Sequence, residues 1–238
     1  MTEPTTGPPV VESFPALLAR ARALAEAGGR RIIGVAGSPG AGKTTLATAV
    51  VRALNESGDH GGTEWAVQVP MDGFHLADRE LVRLGRIQRK GAPDTFDAPG
   101  YAALLERIRL DTHEVVYAPA FDRDIEQPIA GAVPVDPSHR LVVTEGNYLL
   151  HQDGRWPQAR AQLDEVWFCA VDDGVRRGRL VDRHVRFGKP APAAEAWVEQ
   201  VDELNARGVA ASRHSADLVV TGAALDDAHT RTGHPVRG

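Results

Sequence analysis

The chain is poor in sulfur and in rings. Its 238 residues include one cysteine, Cys169, and two methionines, and aromatic residues make up 5%. A single thiol excludes an intrachain disulfide framework, and a lone cysteine cannot build a zinc site. The nine histidines show no H-x-x-x-H or comparable metal spacing. No apolar run approaches the ~20 residues a helix needs to cross a bilayer. Residues 1–10 carry neither the basic nor the apolar segment of a signal peptide. Positive charge is not in excess: the net charge is −5 and the pI about 6.0. With no Lys/Arg-rich tract or recognition-helix pattern, nucleic acid and membrane surfaces are not expected partners. The four tryptophans, Trp65, Trp156, Trp167 and Trp197, sit in apolar contexts and read as core. What is left is the expectation of a cytoplasmic protein that binds a small molecule, with a second copy of itself as a further expected partner.

What is present is an alternation of two periodicities. Residues 1–10 are rich in Pro and Thr and are expected to be disordered. Phe14, Leu17, Leu18, Ala21, Leu24 and Ala25 then recur at helical spacing, with Ser13 as N-cap, Pro15 in the first turn and Gly28-Gly29 as the stop. Strands are expected at 31–36, 65–71, 114–118, 140–145, 164–171 and 217–221. Helices are expected at 43–56, 99–109, 173–187 and 193–208. Several strands, such as Leu141-Val142-Val143, are continuous apolar runs, which suits a parallel sheet buried on both faces. The pattern predicts an α/β three-layer fold, one domain over 11–223, and a loose tail over 224–238.

Between strand 31–36 and helix 43–56 lies Gly37-Ser38-Pro39-Gly40-Ala41-Gly42-Lys43-Thr44. It matches G-x-x-x-x-G-K-[ST], the phosphate-binding P-loop. Glycines there let backbone N–H groups turn towards phosphate oxygens, and the helix N-terminus adds partial positive charge. Lys43 can reach the β- and γ-phosphates, and the Thr44 hydroxyl can ligate Mg²⁺. Further on, Val69-Pro70-Met71-Asp72-Gly73-Phe74-His75-Leu76 ends an apolar strand on a carboxylate. Ligands of open parallel sheets bind beyond the carboxyl ends of strands. Asp72 is therefore expected near the P-loop, given that strand 65–71 neighbours strand 31–36. Taken alone it would read as a strand-closing Asp-Gly turn; beside a P-loop it reads as a base for a substrate hydroxyl.

These segments carry a resemblance. Met71-Asp72-Gly73-Phe74-His75, the stretch Arg89-Lys90-Gly91-Ala92-Pro93-Asp94-Thr95-Phe96-Asp97 and the strand end Thr144-Glu145-Gly146-Asn147-Tyr148-Leu149-Leu150 resemble, in order and spacing, motifs of the uridine kinase, phosphoribulokinase and type I pantothenate kinase group. The likeness runs from about Arg31 to about Thr221. Within the group the chain looks most like bacterial nucleoside/nucleotide kinase-like proteins, also named fructose transport system kinase-like. The resemblance implies a P-loop nucleoside triphosphate hydrolase fold with a helical lid at about 173–190, using ATP and Mg²⁺. It implies that Gly37, Ser38, Gly40, Ala41, Gly42, Lys43, Thr44 and Thr45 hold the nucleotide phosphates. Asp72 would be the catalytic base, and Thr44, Asp72 and Glu145 would surround the metal. His75, Asp94, Phe96 and Arg123 would line the acceptor pocket. Arg123, in Pro119-Ala120-Phe121-Asp122-Arg123-Asp124, has the alternative of pairing with Asp122 or Asp124.

Arg176, Arg179, Arg183 and Arg186 share one face of the lid helix. In the group, lid arginines offset transition-state charge; Arg183 would be the catalytic one, with Arg179 and Arg186 on the nucleotide. A solvated face paired through Asp182 is the alternative. Arg79, Arg83, Arg86, Arg89 and Lys90 form a second cluster, either for an anionic acceptor or a solvated face with Asp78 and Glu80. The guanine-reading Asn-Lys-x-Asp is absent, and the D-x-x-G match Asp97-Ala98-Pro99-Gly100 follows no apolar strand, so ATP is expected over GTP. The function expected is a kinase acting on a sugar, nucleoside or pantothenate-like metabolite, with a neutral acceptor favoured. The alternatives are a P-loop ATPase or regulatory switch, and a non-catalytic nucleotide sensor.

Overall fold

The structure is a computed structural model and describes residues 7–57 and 63–233. Strand β1 (Val10–Val11) leads into α1 (Phe14–Glu26), where the Ser13 side chain accepts the Ala16 N–H and Pro15 occupies the first turn. Next come β2 (Arg31–Ala36), the Gly-rich loop and α2 (Lys43–Glu56). Strand β3 (Ala66–Pro70) runs into a 3₁₀ turn, Met71–Phe74. After α3 (Asp78–Arg83) and α4 (Ala98–Leu110), β4 (Val116–Asp122) and β5 (Gln127–Val135) form a separate antiparallel pair. Then follow β6 (Leu141–Gly146), α5 (Trp156–Arg160) and β7 (Glu165–Cys169). Helices α6 (Asp173–Arg186), α7 (Ala191–Trp197) and α8 (Glu203–Ala211) come next, the last two joined by a π-helical turn, Val198–Asp202. Strand β8 (Leu218–Val220) and α9 (Gly222–Arg231) complete the described chain.

The main sheet has six parallel strands in the order β1-β8-β7-β2-β6-β3. Side chains alternate across its plane. Ile33, Val35, Leu141, Val143, Trp167 and Val220 pack with α1, α2 and α9 on one face. Ile32, Ala36, Val142, Val166, Phe168 and Val219 pack with α4 and α5 on the other. The α/β three-layer expectation is met, and its continuous apolar strands are the ones buried on both faces.

Register positions the site. Val35 on β2 pairs with Glu145 on β6, which pairs with Pro70 on β3. The adjacency of β2 and β3 on which the placement of Asp72 is conditioned is therefore corrected: β6 lies between them. The P-loop and Asp72 flank Glu145 from either side along one carboxyl edge. At the opposite edge Arg30, 4% exposed, is wholly absorbed in structure. It donates to the carbonyls of His139 at 2.9 Å, Ile108 at 2.9 Å, Asp111 at 3.0 Å and Asp136 at 2.7 Å.

Two expectations at the termini are corrected. Val10 and Val11 pair in parallel with Val219 and Val220, so the ordered chain begins inside the stretch read as a tail; residues 1–6 of that stretch lie outside the described residues. The loose tail over 224–238 is helical up to Arg231; residues 234–238 lie outside the described residues. Ala224, Leu225 and Ala228 are buried with α1 and α2, because small side chains let the helix approach closely. Leu225→Ala should therefore cost about 2–4 kcal/mol of stability, as for other buried leucines. Urea unfolding measures this, and an unchanged midpoint would mean that α9 does not dock.

Candidate active site

The Gly-rich loop leaves β2 at its carboxyl edge and turns into α2. Gly42, with φ +86°, is the N-cap of α2, and no side chain caps the helix. The first N–H groups of α2 thus remain available to an anion. Gly40 has φ +81°, and a Cβ there would come 2.7 Å from the Arg176 carbonyl, so loop and α6 touch through backbone. Lys43 is buried, its Nζ donates to the Ser38 carbonyl at 3.1 Å, and burial pushes its pKa down. A buried ammonium held by one neutral acceptor gains from a phosphate beside it.

The Thr44 hydroxyl donates to Glu145 Oε1 at 3.1 Å. Glu145 is 5% exposed, and burial, reinforced by the nearby Asp72 carboxylate, pushes its pKa up to about 7. Gly73 lets the 3₁₀ turn after β3 press against the backbone of Pro119, where a Cβ would collide with the carbonyl. That contact brings Arg123 to Asp72: Nη2 donates to Oδ2 at 3.3 Å. Arg123 pairs with Asp72 rather than with Asp122 or Asp124. Lys43, Thr44, Asp72, Glu145, Arg123 and Arg183 all border one cleft of about 460 Å³.

Two of the expected acceptor-side residues also line this cleft. His75 packs against Phe96 and Phe121, with ring centroids 4.0 and 4.7 Å away. Burial pushes its pKa down, and Nδ1–H donates to the Asp72 carbonyl at 2.8 Å. The neutral ring therefore offers Nε2 as an acceptor. Asp94 is corrected: it does not line the cleft, because Arg89 and Arg86 both pair with its carboxylate outside it. Arg83 likewise pairs locally, with Glu80. Of the second basic cluster only Lys90 lines the cleft, held by Asp78 at 2.7 Å.

The arginine face of α6 is divided. Arg183 lines the cleft, where burial and the Arg123 guanidinium push its pKa down. Arg176 is buried instead, pairing with Glu203 of α8 and with Asp173, and its Nη1 donates to the Pro39 carbonyl at 3.4 Å. Arg179 does not line the cleft; its Nη1 is buried without a partner, beside Gly42 of the P-loop. Arg186 is exposed and off the cleft, because the end of α6 runs into solvent. Sequence reasoning missed the other side of the cleft, where His184, Trp197, Asp202 and Asn205 project from α6, α7, the π turn and α8. Trp197 was expected in the core but stands half-buried at the cleft, with Lys189 4.9 Å from its ring centroid.

The burial of Glu145 has a measurable consequence. Its folded pKa of about 7 lies above the ordinary 4.5, so the folded chain holds this proton more tightly than the unfolded chain. Raising the pH from about 4.5 to 7 therefore removes stability. Glu145→Gln, which cannot ionise, should become more stable than wild type across that window, by of order 2 kcal/mol at pH 8. Urea unfolding in EDTA at pH 5 and pH 8 measures it. A difference that does not change between the two would show that the carboxylate carries no burial penalty.

No protein-family model matches the chain. A Schizosaccharomyces pombe protein named "Putative uridine kinase C227.14" is 36% identical over 198 residues, which is 82% of this chain and 83% of that one. The crystal structure of a "putative fructose transport system kinase" from Silicibacter sp. TM1040 is 37% identical, covers 85% of this chain and 98% of its own, and has a TM-score of 0.74. The structure of YFH7 from Saccharomyces cerevisiae, at 18% identity, covers 88% of this chain and 98% of its own with a TM-score of 0.75, a likeness of fold. Motif order, sheet topology and relatives agree: the chain belongs to the P-loop kinases of the uridine kinase-like group.

Proposed function

We propose that the protein is an ATP- and Mg²⁺-dependent kinase that phosphorylates a hydroxyl of a small metabolite. One observation carries the reading: the P-loop residues Lys43 and Thr44, the buried Glu145 and the strand-end Asp72 all line a single cleft. The donor set fits Mg²⁺. Thr44 and Glu145 offer hard oxygen ligands, with Asp72 alongside, and no cage of three metal-binding side chains occurs among the described residues. Mg²⁺ is commonly held by one or two protein oxygens plus phosphates and waters. Bound there, the ion would neutralise charge on the β- and γ-phosphate oxygens.

In the reaction the acceptor oxygen forms a bond to the γ-phosphorus. The bond from that phosphorus to the β–γ bridging oxygen breaks, and ADP leaves. Asp72 takes the hydroxyl proton; Oδ2 accepts from Arg123, and Oδ1 has no hydrogen-bond partner among the described residues. Arg123 fixes the carboxylate, and His75 Nε2 can accept a second hydroxyl of the acceptor. Lys43 and Arg183 flank the phosphates and balance the charge that spreads over the transferred group.

ADP release from ATP and Mg²⁺ alone should be slow and should rise steeply with one member of a screen of nucleosides, pantothenate and sugars. Asp72→Asn should lower kcat at least ~10²-fold with little change in ATP affinity. Lys43→Ala should abolish transfer while the circular dichroism stays native. Rapid hydrolysis that needs no acceptor and ignores Asp72→Asn would replace the kinase with an ATPase.

A further inference from the structure

The side of the cleft formed by α6, α7 and the π turn carries groups that the phosphate chemistry does not use. Asp202 is buried, and its Oδ2 is bonded to His184 Nε2 at 2.8 Å. No side-chain hydrogen bond engages its Oδ1 among the described residues. Asn205, one helical turn further on, borders the same cleft, and its side chain makes no hydrogen bond within the described residues. From the sheet side Asn147, just beyond β6, borders it too, and its side chain is likewise without a hydrogen bond among the described residues. Asp202 and Asp72 both border the cleft that Arg183 lines. A carboxylate accepts, and an amide both accepts and donates, which is what a hydroxyl needs from its surroundings. π turns inside helices often mark functional sites, and Asp202 is the last residue of this one.

The cations of the cleft argue against an anionic acceptor. Lys90 is held by Asp78, Arg123 by Asp72, and Lys189 lies over Trp197. Lys43 and Arg183 act on each other electrostatically at the P-loop end and serve the nucleotide. Arg86 and Arg89 are tied to Asp94 outside the cleft. With Lys43 and Arg183 given to the nucleotide by the kinase reading, Lys189 is the one lysine or arginine of the cleft that no carboxylate pairs among the described residues.

We propose that Asp202 and Asn205, facing Asn147 across the cleft, read the hydroxyls of a neutral polyhydroxylated acceptor, a free sugar or the ribose of a nucleoside. Such a ligand would bridge the α6–α8 side of the cleft to the sheet. Asp202, Asn205 and Asn147 are specificity residues that touch the acceptor and leave the phosphoryl group alone. This inference rests on the kinase reading for the position of the acceptor, but binding tests it separately from transfer.

The test follows tryptophan fluorescence of the full chain with Mg²⁺ and a non-hydrolysable ATP analogue. The probes are D-ribose, D-fructose and uridine, against ribose 5-phosphate, fructose 6-phosphate and uridine 5′-monophosphate. Trp197→Phe identifies the signal that belongs to the cleft. A neutral probe should give a saturable change. Asn205→Ala and Asp202→Asn should each weaken it about 10- to 100-fold, the loss of one or two hydrogen bonds. Affinity for the ATP analogue should stay within about threefold of wild type, less than one lost hydrogen bond. Asn205→Ala keeps the test decisive if Asp202→Asn disturbs the His184 contact. Tighter binding of the phosphorylated probes, binding of no neutral probe, or unchanged affinity in Asn205→Ala would overturn the inference. Saturable neutral binding without phosphate transfer would uphold it while removing the kinase reading.

Discussion

A carboxylate with almost no access to water sits at the carboxyl edge of the sheet, and the cleft is organised around it. Glu145 ends β6, the strand between β2 and β3. Burying a charge there is unfavourable unless partners compensate it. The nearest partners come from both sides: the Thr44 hydroxyl from the β2 side, and the Asp72 carboxylate, which adds to the penalty, from the β3 side. Lys43 works in the opposite sense. The unfavourable balance is local and persists because the surrounding strands are fixed by apolar packing on both faces. A site of this kind holds binding energy in reserve for a cation and a polyphosphate.

The two edges of the same sheet treat charge differently. At the amino edge Arg30 satisfies four backbone carbonyls, and Asp164 takes Arg31 at 3.0 Å, Arg109 at 2.8 Å and the Ile32 N–H at 2.8 Å. Every donor there is answered within the fold, save the buried Arg31 Nε. At the carboxyl edge the Lys43 ammonium has one neutral acceptor, the Asp72 carboxylate accepts from one guanidinium, and the side chains of Asn147 and, facing the cleft from α8, Asn205 have no hydrogen-bond partner among the described residues. Stability is concentrated at one edge and unfinished bonding at the other. The chemistry therefore belongs to the edge where the parallel strands end, as the topology of an open sheet requires.

The central fold was legible because its signals were redundant. Helix α2 spans Lys43–Glu56 as expected, and the apolar runs of β2, β6 and β7 fall within a residue or two of their expected bounds. Strand β1 has two residues and β5 contains Pro128, Gly131 and Pro134, so neither shows a strand pattern; pairing with a neighbour decides both. The P-loop and Asp72 drew a functional reading because their residue types have few other uses in that context, and the structure brings them to one cleft. Asp94 and Arg186 lay in the right segments, but which way a side chain leaves a loop or helix end depends on partners distant from the motif. The opposite side of the cleft was not legible because Asp202 and Asn205 belong to no motif: with Val198 they fall at i, i+4 and i+7, so helical spacing puts them on one face but does not say that a cleft lies there.

The arginine helix is better described as part of a larger body than as a free lid. Arg176 joins α6 to α8 through Glu203 and reaches the P-loop carbonyl of Pro39, and Arg177 adds a second bond to Glu203 at 2.7 Å. His184 and Asp202 tie the far end of α6 to the π turn. Any movement that keeps these bonds carries α6, α7 and α8 together, so a mobile unit limited to 173–190 would have to break buried ion pairs, which is costly. Arg183 and Asp202 then travel as one piece. A ligand that engages Asp202 or Asn205 therefore also fixes the body that carries Arg183 into the cleft. Under the proposed kinase reading, placement of that arginine is linked to occupancy of the acceptor end, and a phosphoryl group facing an empty acceptor site would lack that support.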